Sequence, residues 1–149
     1  MAFDDTQIKE ANEQLEIRLS TDRNDWKSKI KDLVSKLKNM NELAECQVRM
    51  LSYRQILLDK VTDFKTTIYK RNATWDRYYK QQYREYSINY DVKLTSGEKV
   101  AFIKADLSHL RTQMEMLQSH MDYYQECIKT CDNLAFAIRN RINLDDKEY

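Results

Sequence analysis

The sequence predicts an all-α fold, an elongated helical-bundle or coiled-coil module built on two long amphipathic helices. Three observations lead there. The 149 residues contain no proline and one glycine, Gly97, so the main breakers of helices and markers of turns are nearly absent. Charged residues make up 33% and hydrophobic ones 42%, a mix that suits amphipathic helices better than a large globular core. Apolar residues recur at alternating steps of four and three over most of the chain, the period of a helix face.

The elements follow in order along a single helical domain, residues 1–149. Ile8, Ala11, Leu15 and Leu19 mark a short acidic N-terminal helix within 1–22, and Ser20 or Thr21 is the expected N-cap of the next element. A long basic helix, either continuous or broken, is expected over 23–86. Its seam runs Trp26, Ile30, Leu33, Leu37, Met40, Ala44, Gln47, Leu51, Arg54, Leu58, Val61, Lys65 and Ile68, with ten of the thirteen positions apolar. Residues 87–95 (SINYDVKLT) form the connection. Thr95-Ser96-Gly97-Glu98 is a capping box, in which hydroxyl and carboxylate satisfy each other's free backbone N–H groups, so a last helix starts near 96 and runs to 143.

The seam of that last helix is fully apolar or aromatic. It reads Ile103, Leu107, Leu110, Met114, Leu117, Met121, Tyr124, Ile128, Cys131, Ala135, Ile138 and Ile142. So much apolar surface on one helix marks an interface. Leu107, Leu110, Met114, Leu117, Met121, Tyr124, Ile128, Phe136 and Ile138 are the expected oligomer contacts.

Net charge is +1, but it is unevenly spread. Residues 1–25 carry three basic and seven acidic side chains, 26–84 fourteen and six, and 85–149 eight and eleven. A basic middle is the usual footprint for phosphate. Within it, YKRNATWDRYYKQQYREYSINY (69–90) holds six tyrosines and a tryptophan. Trp75, Tyr79, Tyr83, Tyr86 and Tyr90 share a stripe read as packing. Lys70, Arg77 and Arg84 recur every seven residues, bordered by Lys80, and with Lys65 and Arg71 form the expected phosphate-binding set. Tyr78 is the ring expected to stack on bases.

Catalytic and metal chemistry are not expected. One glycine builds no phosphate-cradling loop. Cys127 and Cys131 lie one turn apart without the other two ligands of a structural zinc site, and read with Cys46 as core fillers. His109 and His120 have no cysteine at ligand spacing. No cofactor is implied. The opening MAFDDTQIKEANEQ lacks the apolar stretch of a signal peptide and no run is long enough to span a membrane, so a cytoplasmic location without membrane contact is expected.

The stretch KADLSHLRTQMEMLQSHMDYYQECIKTCDNLAFAIRNRI, from Lys104 to Ile142, resembles the C-terminal region of the UvsY-like recombination mediators of T-even-like phages. The likeness is carried by Asp106-Leu107 with Leu110 and Thr112, by Asp122-Tyr123, and by Phe136-Ala137-Ile138-Arg139. Asp4-Asp5-Thr6-Gln7-Ile8 is similar to a short N-terminal stretch of some members, and Trp75 with Tyr78-Tyr79 to a tyrosine pair in the family. The resemblance implies a ring-like, heptameric homo-oligomer in the host cell cytoplasm. It implies a non-enzymatic protein that binds single-stranded DNA and loads a phage recombinase onto strands coated by the phage single-strand-binding protein. The alternative reading is a structural coiled-coil adaptor or scaffold with no nucleic-acid role.

Overall fold

The computed structural model describes residues 4–147. Among them are four α-helices and no strand: α1 (Asp5–Lys36), α2 (Leu43–Ile88), α3 (Ser96–Asp106) and α4 (Ser108–Lys147), with a single 3₁₀ turn at Met40–Glu42. The fold is all-α. No described helix is long and apolar enough to cross a membrane.

The helix boundaries differ from those expected. The separate helices of 1–22 and 23 onward are one, α1, which begins where the Asp4 carboxylate accepts from the Thr6 N–H at 3.0 Å. Nothing in the stretch STDRND (20–25) forces a break, since each residue costs only a few tenths of a kcal/mol in a helix interior. Leu19, Trp26 and Leu33, all buried, run straight through the expected joint.

The real break falls at 37–42, without glycine or proline. The Lys38 and Asn39 N–H groups turn back to the carbonyls of Ser35 and Lys36, tightening the last turn. Asn39 is extended (φ −113°, ψ 113°), and its side chain accepts from the Asn41 N–H at 3.0 Å, starting the 3₁₀ turn that leads into α2. This break shifts the seam. Beyond it the inward stripe of α2 is Leu43, Cys46, Met50, Leu57 and Val61, buried, with Tyr53, Phe64 and Ile68 half-buried. Met40, Ala44, Gln47 and Leu51, expected in the seam, are exposed.

Thr95 and Glu98 form the capping box the sequence predicts: the Glu98 N–H donates to Thr95 Oγ1 at 3.2 Å and the Thr95 N–H to Glu98 Oε1 at 3.4 Å. The expected single helix from 96 is interrupted at Leu107 (φ −102°, ψ 16°) and restarts at Ser108. The interruption lies beside Asp106, whose carboxylate ties α3 to α2 by accepting from Gln82 Nε2 at 3.0 Å and from the Tyr86 hydroxyl.

The chain divides into two compact units. Unit 1 comprises residues 1–18 and 65–119, and unit 2 residues 19–64 and 120–149. In unit 1 the core is Leu94, Ile103, Leu107, Leu110 and Leu117 with two buried amides, Asn12 and Gln113. Asn12 Nδ2 donates to the His109 carbonyl at 2.8 Å, pinning α1 to α4. In unit 2 the core is Leu19, Trp26, Leu33, the inward stripe of α2, and Met121, Tyr124, Cys127, Cys131, Leu134 and Ile138 of α4. Trp26 of α1 meets Tyr53 of α2 edge-on, ring centroids 5.6 Å apart.

The expected oligomer contacts are therefore mostly core. Leu107, Leu110, Leu117, Met121, Tyr124 and Ile138 are buried within one chain, and Met114 and Ile128 are half-buried. A side chain already covered by its own helices has no apolar surface left to offer a neighbour. Of the nine only Phe136, 61% exposed, stands in solvent.

Candidate nucleic-acid interface

Helix α2 turns one face to the core of unit 1 and the opposite face to solvent. At about 100° per residue, Lys70, Arg77, Lys80 and Arg84 fall within a quarter-turn of one another on the outer face. All four are exposed. They span about 21 Å along the helix, at 1.5 Å per residue.

The structure does not gather the whole expected set. Lys65 lies on the flank of this face, about a quarter-turn away. Arg71, though exposed, projects from nearly the opposite side. Tyr78 is half-buried, and the Arg77 guanidinium lies 5.0 Å from its ring centroid. It acts as a prop for Arg77, a cation–π contact that holds the guanidinium in place.

Between the long side chains lies a shallow concavity of about 660 Å³, lined by Ala73, Asp76, Arg77, Lys80, Gln81, Arg84 and Glu85. Ala73 gives it depth, since a methyl group replaces a long side chain on the outer face. Over residues 65–85 six cations meet two carboxylates, Asp76 and Glu85. Glu85 is engaged by Asn89 Nδ2 at 3.0 Å. None of Lys65, Lys70, Arg71, Arg77, Lys80 and Arg84 forms an ion pair among the described residues. By contrast Lys36, Arg49, Arg54 and Arg111 all pair with carboxylates. The ridge is a stretch of unneutralised positive charge, which concentrates counter-anions at its surface.

The other rings of the window are engaged. Trp75 and Tyr79 are half-buried with centroids 6.4 Å apart. Lys99 Nζ lies 5.2 Å from the Tyr83 ring. Tyr86 packs against Tyr90 and Phe102 at 5.3 and 5.7 Å. Burial, and next its hydrogen bond to Asp106, push the Tyr86 hydroxyl up to about 12. Tyr69 is different: it is 76% exposed, and sequence reasoning missed it because the tyrosine-rich stripe drew attention to positions 75–90.

A second polar cluster lies inside unit 2. Asp22 Oδ2 accepts from the Tyr124 hydroxyl at 2.6 Å and from His120 Nε2 at 2.9 Å. Among the described residues no group of three or more His, Cys, Asp or Glu side chains is placed to hold a metal ion. No protein-family model, curated protein or solved structure matches the chain.

Proposed function

We propose that the chain is a single-stranded-DNA-binding accessory of homologous recombination, a mediator of the UvsY-like kind that helps a phage recombinase replace single-strand-binding protein on DNA. The observation that carries this reading is the outer face of α2, where Lys70 shares a face with Arg77, Lys80 and Arg84, the last three lining a concavity, and none of the four has an ion-pair partner among the described residues. Four unpaired cations over about four turns suit a phosphate polymer, whose charges repeat along a line. The face carries no constellation for reading base edges, so binding is sequence-independent. The resemblance over Lys104–Ile142 supplies the recombination context and the ring-like homo-oligomer. With the α4 seam occupied inside the chain, self-association uses exposed apolar residues such as Phe136.

A second reading, a helical adaptor, draws on Val48 and Leu51, which are 68% and 57% exposed on the outer face of α2 in unit 2. A salt titration of fluorescent oligo(dT) binding separates the two, because an adaptor lacks the steep salt dependence that counterion release imposes. Replacing Lys70, Arg77 and Arg84 with alanine is expected to flatten the log–log salt slope by about 2, from roughly 0.7 per phosphate contact on single strands. Affinity then falls roughly a hundredfold at 0.1 M salt, converging with the parent towards 1 M. Equal affinity of parent and triple variant at every salt concentration would reduce the ridge to a solvated face.

A further inference from the structure

We infer that Tyr69 is a base-stacking platform on this ridge, taking the unpaired planar base of a single strand whose phosphates lie along the cations. The inference rests on the nucleic-acid reading above and adds a site to it. Tyr69 is the most exposed of the large apolar and aromatic side chains among the described residues. It makes no hydrogen bond, ring contact or cation contact among the described residues.

Its position is what separates it from an ordinary solvated ring. At about 100° per residue, Tyr69 lies within a small rotation of Ala73 and Lys80, one turn ahead of the concavity. Its helix neighbours at four residues either side are Lys65 and Ala73. Lys65 thus stands one turn before the ring on its flank and the short Ala73 one turn after it, and beyond Ala73 the same face carries Asp76 followed by Arg77, Lys80 and Arg84. No carboxylate occupies the positions three or four residues away, which are Lys65, Thr66, Asn72 and Ala73. An uncovered ring bracketed by phosphate-seeking cations is the arrangement that single-strand binders combine, charge for the backbone and a π-face for the base. The other rings of the window are already spent on internal contacts, Tyr78 beneath Arg77 and Tyr83 beneath Lys99.

The test compares the parent, Tyr69→Ala and Tyr69→Phe for binding to fluorescent oligo(dT) and to an abasic oligonucleotide of equal length. Tyr69→Ala is expected to weaken oligo(dT) binding about 5- to 150-fold, the loss of one stacked base. Tyr69→Phe should bind like the parent because the ring is kept. Affinity for the abasic strand should not change, and the salt slope should stay the same because no charge is removed. Unchanged oligo(dT) affinity in Tyr69→Ala, or an equal loss on the abasic strand, overturns the inference. Should Lys70→Ala/Arg77→Ala/Arg84→Ala lose binding while Tyr69→Ala does not, only this inference falls. Should the parent bind no oligo(dT) at low salt, the interface reading fails and takes this one with it. An unchanged circular dichroism spectrum for Tyr69→Ala, expected for so exposed a site, keeps folding out of the comparison.

Discussion

Trp26→Ala is expected to lower the unfolding free energy by about 3–5 kcal/mol, the range for emptying a buried indole site. Trp26 is 1% exposed, lies edge-on to Tyr53, and carries Lys29 Nζ 4.5 Å from its ring centroid. It therefore joins α1 to α2 in unit 2. With total stabilities of small domains only about 5–15 kcal/mol, the loss would leave unit 2 close to unfolding. Urea titration followed by circular dichroism measures the change, and Trp75 remains as an emission probe in unit 1. A shift below about 1 kcal/mol would mean that the indole does not anchor this core.

Asp22→Ala is expected to cost about 2–4 kcal/mol, because it leaves two buried donors without an acceptor at about 1–3 kcal/mol each. The Tyr124 hydroxyl and His120 Nε2–H both point at the same carboxylate oxygen, and neither ring is open to solvent. The Asp22 side chain is 28% exposed, so water entering after truncation offsets part of the loss. Asp22→Asn keeps an acceptor oxygen and should cost less.

The same cluster gives the protein an acid-sensitive limb. Burial is the largest influence on His120 and, against the pull of Asp22, holds its pKa below the ordinary 6.5. Arg23 and Lys60 push it the same way. Its Nδ1 is buried without a partner among the described residues, so a second ring proton would have no acceptor. At Asp22 burial works upward, but the hydrogen bonds from Tyr124 and His120 outweigh it and lower the carboxyl pKa below 3.8. In both cases the unfolded chain takes up protons first. Stability is thus full above about pH 6.5 and falls as the pH drops through the histidine range, then again below about 4. Tyr86 works in the opposite direction: its contribution is complete below pH 10 and is lost as the pH rises towards 12. Thermal melts against pH read all three, and His120→Gln should flatten the first acid limb.

The helical class was legible because nothing in the composition opposes it, and the Thr95–Glu98 box because its chemistry is local. The α4 seam was legible as a buried face, but not what buries it, since a heptad stripe reads the same against its own chain or another copy. The phase of α2 was not legible. Asn39 breaks the helix through one side-chain hydrogen bond, a signal too weak to see in sequence, and the seam positions from Met40 to Leu51 turn out to solvent while Val61 and Ile68 stay inward. At the candidate interface the heptad of Lys70, Arg77 and Arg84 survives because it lies inside one uninterrupted helix. Arg71 fails for the same reason: one residue of helix rotates it by about 100°. Tyr78 is half-buried and Tyr69 exposed because exposure depends on which side of α2 faces the core, and the tyrosine pattern alone does not say.

The three cysteines give this architecture an internal clock. Cys46, Cys127 and Cys131 are all free, all buried and all in unit 2, two on α4 and one on α2. Burial raises the pKa of each thiol, that of Cys131 to about 11. Alkylating reagents attack thiolates, so at neutral pH labelling waits until the surrounding helices part. Unit 1 has no cysteine at all. The rate at which a maleimide or iodoacetamide marks the chain is therefore a timer for transient opening of one unit, to which excursions of the unit bearing the basic ridge make no signal.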